Sequence, residues 1–154
     1  MNLIKEPLDY AQIGAYPNIP IFTASSSKTH QNRLVLDSES AIACSEVYPE
    51  IDVKFGEVIA EGEAFGLSVI EYSPEVCIGA FQVKREVNEP ASGLYLMQAI
   101  DELLKMIRVL SLDKPTFHLP FPGIENNELH EDSVYPLLYK LPTNVKIYKN
   151  ERKR

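Results

Sequence analysis

Between Thr116 and Leu141 an apolar run, Thr116-Phe-His-Leu119, passes through Phe121-Pro-Gly-Ile-Glu-Asn-Asn-Glu-Leu129 into a helical pattern over 130–141. A strand that turns through Pro-Gly into a helix is a unit of an open α/β sheet, and such sheets bind ligands outside the C-terminal ends of their strands. Backbone N–H groups at such a helix start can hold an anion. A second unit, Ile78-Gly-Ala-Phe-Gln-Val-Lys84, ends in a lysine and leads through a charged loop, 85–91, to the clearest helix of the chain. Ser92 caps that helix, and Leu96, Ile100, Leu103, Ile107 and Leu110 recur at helical spacing.

The remaining pattern fills in a layered domain. Ile19–Ala24 is an apolar first strand, with Pro20 near its start or on an edge. Ser25–Arg33 is a polar loop without an apolar residue. A helix begins at about Asp37, capped by Asp37 or Ser38, carries Ala41, Cys44, Val47 and Tyr48 on one face, and stops at Pro49. A short strand is expected over Gly56–Ala60. Stronger strands at Gly66–Tyr72 and Cys77–Val83 flank the turn Ser73-Pro-Glu-Val76 and predict an antiparallel hairpin. Pro136 should kink or shift the last helix, and Asn144–Tyr148 is a final strand. The order β-α-β-β-β-α-β-α-β predicts one α/β domain over 1–154, a three-layer α/β/α fold with helices on both faces of a mixed sheet. Residues 1–18 read as an N-terminal extension and 149–154 as a basic tail.

Composition narrows the function. A length of 154 residues and 45% hydrophobic content suit a single packed core. A formal charge of -7 argues against broad nucleic-acid binding. Two cysteines, Cys44 and Cys77, make neither a disulfide framework nor a zinc site. No companion ligands accompany His118, so no metal is expected. No segment reaches membrane-spanning length, and Met1–Tyr10, with Glu6 and Asp9, lacks the apolar core of a signal peptide. The expectation is a cytoplasmic protein without a cofactor.

Three polar clusters follow strands or lie at their ends: Ser25–Arg33, Gln82–Arg85 and Gly123–Asn127. If their strands run the same way, they converge on one crevice. Lys28, His30, Asn32, Arg33, Lys84 and Arg85 would then face Glu125, Asn126 and Asn127. Cations beside helix starts suit a phosphate; a solvated loop surface is the alternative. Lys84 is either an exposed lysine past a strand end or a working amine, and His30 either a bystander or a general acid/base.

The strand ending in Phe-Gln-Val-Lys84, the loop with Asn88-Glu-Pro90, the long helix, then Pro122-Gly-Ile with Asn126 and Leu129, and finally Val134, Pro136-Leu-Leu138, Leu141-Pro142 and Asn144-Val145, resemble a macro domain. The resemblance is best over 66–148 and extends to phage proteins of this architecture. It implies an ADP-ribose-type nucleotide, or an ADP-ribosylated macromolecule, as partner. The activity implied is that of an ADP-ribosyl glycohydrolase or ADP-ribose phosphate phosphatase; a non-catalytic binding or protein-interaction module is the alternative. Lys84 matches the catalytic lysine of the hydrolases, with Val83 in place of a threonine. Such an amine can attack an anomeric carbon covalently. Ser25, Ser26, Lys28, Asn32, Arg33, Gln82, Arg85, Pro122, Gly123, Ile124, Asn126 and Asn127 form the implied binding set, with Asn32 in the ribose role. Glu125 replaces the second glycine of the family's phosphate loop, and Asn127 stands where the hydrolases carry an acid. Glu125 or Glu128 is left as the acid.

Overall fold

The computed structural model describes residues 1–125 and 128–151. Six strands form one sheet: β1 (Asn2–Ile4), β2 (Asn18–Ala24), β3 (Leu67–Ser73), β4 (Val76–Gln82), β5 (Thr116–Pro120) and β6 (Val145–Tyr148), in the spatial order β1-β6-β5-β2-β4-β3. Every neighbouring pair is parallel except β3 with β4, which form the expected antiparallel hairpin. The C-terminal ends of β2, β4, β5 and β6 therefore point the same way. That common edge is what brings the loops after Ala24, Gln82 and Pro120 together.

Among the described residues four α-helices complete three layers: α1 (Glu39–Val47), α2 (Ile51–Gly56), α3 (Gly93–Val109) and α4 (Glu131–Leu138). One core, on the α3 and α4 side, contains Ile19, Ile21, Phe81, Leu96, Ile100, Leu103, Phe117, Val134 and Leu138. The other, on the α1 and α2 side, contains Phe22, Ala41, Cys44, Ile51, Phe55 and Ile78. Alternate residues of β2 divide between them, Ile19 and Ile21 to one face and Phe22 to the other, as the two-residue period of a strand requires. The α3 stripe is buried as its spacing predicts at Leu96, Ile100 and Leu103; Ile107 is only half-buried, two residues before the helix ends.

Three sequence expectations are revised. Gly56–Ala60 is not a strand: α2 runs to Gly56 and a turn follows. The apolar residues Ile51 and Phe55, four apart, are buried on the same side and give α2 its inner face. Within the N-terminal extension, Asn2–Ile4 adds an edge strand parallel to β6, fixed by backbone pairing rather than by an apolar period. Val47, expected on the inner face of α1, lies exposed at its last position. Pro136 sits inside α4, which starts at Glu131; its ring falls beyond the first turn and the helix ends two residues later.

Candidate functional site

Ser38 sets the geometry at the centre of the parallel edge. Its Oγ accepts the Ala41 N–H of α1 at 3.0 Å and donates to the Thr23 carbonyl of β2 at 2.8 Å. The Thr23 N–H donates to Ser40 Oγ at 2.9 Å. The start of α1 is thereby pinned over the end of β2. Because Ser38 takes the capping role, Asp37 is left to face Lys84.

Lys84 follows β4 by two residues. Its Nζ lies 3.4 Å from Glu128 Oε2, 3.6 Å from Asp37 Oδ2 and 3.3 Å from the Val87 carbonyl, and its side chain is 11% exposed. A cavity of about 30 Å³ lies beside it, lined by Thr23, Asp37, Ser38, Val83, Lys84, Gly123, Glu125 and Glu128. That volume suits ordered water and is far too small for a sugar.

Beyond this cavity, and sharing Thr23, Asp37 and Glu125 with it, opens a cleft of about 1130 Å³. It runs over the ends of β2, β5 and β6. Pro7, Leu8, Tyr10, Ile42, Phe121 and Ile124 give it apolar walls, and Tyr10 is fixed by donating its hydroxyl to the Ile21 carbonyl at 2.7 Å. Asp37, Glu39, Glu125, Glu131 and Asp132 line it as well, with Lys149 as the cation. Lys149 is already paired, at 3.2 Å with Glu131 and 2.9 Å with Glu151.

Gly123, Glu125 and Glu128 line the small cavity, while Phe121, Ile124, Glu125 and Leu129 line the cleft. Gly123 has φ +82, and a Cβ there would lie 2.9 Å from Leu129 Cδ1. The Leu129 N–H closes the loop onto the Gly123 carbonyl at 2.9 Å. Glu125 reaches across to α1, where its Oε1 accepts the Glu39 N–H at 2.8 Å. Burial pushes the Glu125 carboxyl above its ordinary range; the Glu39 N–H pulls it partly back, and Glu39, Asp37 and Glu128 push it up further. Glu128 Oε1 accepts the Ala91 N–H at 3.2 Å, just before α3.

The residues expected from sequence divide sharply. Lys84, Gly123, Ile124 and Glu125 line the two spaces, and Pro122 is buried between Phe121 and Gly123. The Ser25–Arg33 loop turns elsewhere. Lys28 Nζ and Asn32 Nδ2 both donate to the Gly56 carbonyl, at 3.0 and 3.3 Å, and Arg33 faces Asp52 at 3.7 Å. Asn32 itself takes the left-handed conformation, φ 64, which glycine supplies elsewhere. His30 is exposed on this turn and lines neither space. Ser25 and Ser26 are buried: Ser25 Oγ accepts the Ser27 N–H, while Ser26 bonds the Arg85 carbonyl and the Gly62 N–H. Gln82 is fully buried and holds Glu63, Phe65 and Gly66. Arg85 pairs outward with Glu89 at 2.8 Å. Asn126 and Asn127 lie outside the described residues. Sequence reasoning named Glu128 only as an alternative acid and missed Thr23 and Asp37 beside Lys84, and the cleft wall from Pro7, Leu8 and Tyr10. Nothing in the local pattern of 1–18 announces that wall, because its place depends on β1 pairing with β6.

His118 is packed and held at both ring nitrogens: Nδ1 lies 2.8 Å from the Tyr148 hydroxyl and Nε2 3.0 Å from Asn18 Oδ1. Among the described residues no group of acids, cysteines and histidines could hold a metal, and no helix is long and apolar enough to cross a membrane.

Neither a family sequence model nor a curated protein sequence matches the chain. Solved structures do. The macrodomain of Thermus aquaticus DarG superposes with a TM-score of 0.67 at 18% identity, covering 97% of both chains. The macrodomain of Mycobacterium tuberculosis DarG gives 0.70 at 16% identity, covering 96% of this chain and 97% of that one. Thermosipho africanus DarTG, solved in complex with ADP-ribose, gives 0.66 at 16% identity over 88% of this chain and 39% of its own. The fold is that of a macrodomain.

Proposed function

We propose that this macrodomain-fold chain binds an ADP-ribose-type nucleotide, free or attached to a macromolecule, in the cleft over β2, β5 and β6, and that it is a binder rather than an efficient glycohydrolase. The observation that carries the reading is the cleft itself: about 1130 Å³, apolar-walled, at the C-terminal ends of parallel strands. The structural likeness to a protein solved with ADP-ribose supports the choice of ligand. Against turnover stands Lys84. Its Nζ is engaged by two carboxylates within 4 Å and by the Val87 carbonyl, contacts that an attack on an anomeric carbon would have to break, and the cavity beside it has no room for a ribose.

Calorimetry with ADP-ribose, AMP and adenosine tests the reading. Binding of ADP-ribose is expected, and Ile42→Glu, at an exposed position on the cleft lining, should weaken it on the order of tenfold by setting a carboxylate against the diphosphate. Absence of ADP-ribose binding at millimolar concentration would sink the proposal. One observation favours a second reading, a module that docks a basic peptide. Five acidic side chains line the cleft, against a single lysine that is already paired. Binding of an Arg- and Lys-rich peptide with no response to ADP-ribose would select it.

A further inference from the structure

We propose that the acidic rim of the cleft, built at the starts of α1 and α4, docks a Lys- and Arg-rich polypeptide, and that the nucleotide this chain binds is one carried on such a polypeptide. The inference rests on the proposed nucleotide site and names the class of macromolecule attached to it.

The charge around the cleft is not what an anionic ligand alone would call for. Asp37 and Glu39 stand at the start of α1, Glu131 and Asp132 in the first turn of α4, and all four line the same cleft. Acids at helix starts often serve the helix itself. Here other groups do the capping: Ser38 Oγ accepts the Ala41 N–H, and His130 Nδ1 accepts the Asp132 N–H. The Asp132 and Glu131 side chains are 88% and 43% exposed, which puts both within reach of a partner. Lys149, the one lysine among the described lining residues, does not offset them. Its side chain is 12% exposed and lies between Glu131 and Glu151. His130, 3.7 Å from Asp132, adds a cation only when protonated.

A free diphosphate entering this cleft meets like charge. A cationic carrier removes the conflict. Its lysines and arginines pair with the rim acids, while the nucleotide lies along the apolar walls from Pro7, Leu8, Phe121 and Ile124. Ile42, exposed on the lining, offers the stem of such a lysine or arginine an apolar surface. A nucleic-acid carrier deepens the conflict, because every backbone phosphate brings another anion to the rim of a chain with a formal charge of -7. An acidic polypeptide does the same.

The test uses the intact chain and calorimetry at low and at physiological salt. The ligands are free ADP-ribose, an unmodified Lys/Arg-rich peptide, and ADP-ribose joined through a non-hydrolysable linkage to that peptide, to an Asp/Glu-rich peptide of equal length, or to a single-stranded DNA oligonucleotide. The basic conjugate should bind about tenfold tighter than free ADP-ribose, the combined size of a few exposed ion pairs, and should lose most of that advantage as salt rises. The double variant Glu131→Gln/Asp132→Asn should shift the two ligands in opposite directions, weaker for the basic conjugate and tighter for free ADP-ribose. Free ADP-ribose, the acidic conjugate or the DNA conjugate binding as tightly as the basic one would overturn the inference and leave nucleotide binding in place. So would a double variant that keeps the full advantage. An unmodified basic peptide that binds as tightly as its conjugate would also overturn it, because the nucleotide would then contribute nothing. Silence of every nucleotide form would end the proposed function, and this inference with it. Neither substituted side chain is buried. Should the double variant still fold poorly, the salt series on the wild type decides, and an advantage that does not fall with salt overturns the rim.

Discussion

Glu125 Oε1 sits 2.8 Å from the backbone nitrogen of Glu39, so a carboxylate from the β5–α4 connection caps the first residue of α1. The contact joins two segments 86 residues apart. It also puts an anion where helix geometry already favours one. Yet burial and three neighbouring acids hold the carboxyl above its ordinary range, so the folded protein resists ionising it.

That conflict predicts a stabilising substitution. Glu125→Gln keeps an oxygen to accept the Glu39 N–H and removes the charge. The wild-type carboxyl has a raised pKa in the folded state, so its protonated form contributes stability that is lost as pH rises above the unfolded value, about 4.5. Below that pH the two proteins should melt together; toward neutrality Glu125→Gln should melt higher. Thermal melts across pH 3–8, about the span over which a carboxyl with a raised pKa titrates, check it. A wild type that melts above the variant at pH 7 would mean that the hydrogen bond outweighs the burial cost.

His118 gives the opposite slope. Burial, with the Lys146 charge adding to it, lowers its pKa from 6.5 to about 4. Between those values the unfolded chain takes up a proton that the folded one refuses. Stability is thus full above 6.5 and falls as pH drops toward 4. His118→Asn should flatten this part of the pH profile, and an unchanged slope between those limits would assign it to other groups.

Much of the domain was legible because its chemistry is local. The α3 stripe, the β3–β4 turn and the Ser38 cap follow from residues within one or two turns of each other, and each is where the pattern puts it. The parallel sheet followed from strand-helix order, which also put Lys84 and Gly123 at one edge. What could not be read is non-local. Lys28, Asn32 and Arg33 look like a phosphate cradle on paper, but the Gly56 carbonyl and Asp52 of α2 claim them. That α2 exists at all was obscured by its six-residue length, below what a helical period needs to declare itself. Asp37 and Ser38 were both candidate caps in the sequence, and with Ser38 in that role Asp37 faces Lys84.

Core packing supplies a direct test of the layer assignment. Leu103 is fully buried between α3 and the sheet. Leu103→Ala should cost about 2–5 kcal/mol in chemical denaturation. A loss below about 1 kcal/mol, the size of a typical surface change, would show that α3 packs by another face.

Gly123 should resist even the smallest substitution. Its φ of +82 disfavours any L side chain, and the Cβ of alanine would press on Leu129 and Leu96. The leucine ends can shift, so the backbone term dominates, about 1–2 kcal/mol. Gly123→Ala should lose that stability in chemical denaturation, and a variant as stable as the wild type would show that the turn accepts a side chain.

Lys84 itself can be tested for what its cation does. It stands between Asp37 and Glu128, at 3.6 and 3.4 Å, with most of its side chain covered. Lys84→Met keeps the apolar stem and leaves two carboxylates without their shared counter-charge. Each acid keeps about a fifth or more of its surface in water, which screens the repulsion. The expected loss is therefore about 1–2 kcal/mol, below the range for a fully buried pair. Glu128→Gln in the same background should restore part of it, because one of the stranded charges is gone. Denaturation of the two single variants and the double variant gives the coupling directly. If the proposed cleft is the nucleotide site, binding should stay measurable in Lys84→Met, because Lys84 does not line it. Additive effects of the two substitutions would mean that the ion pair contributes nothing in solution. Loss of ADP-ribose affinity in Lys84→Met, with the fold intact, would move Lys84 from a sealed structural cation to a ligand contact.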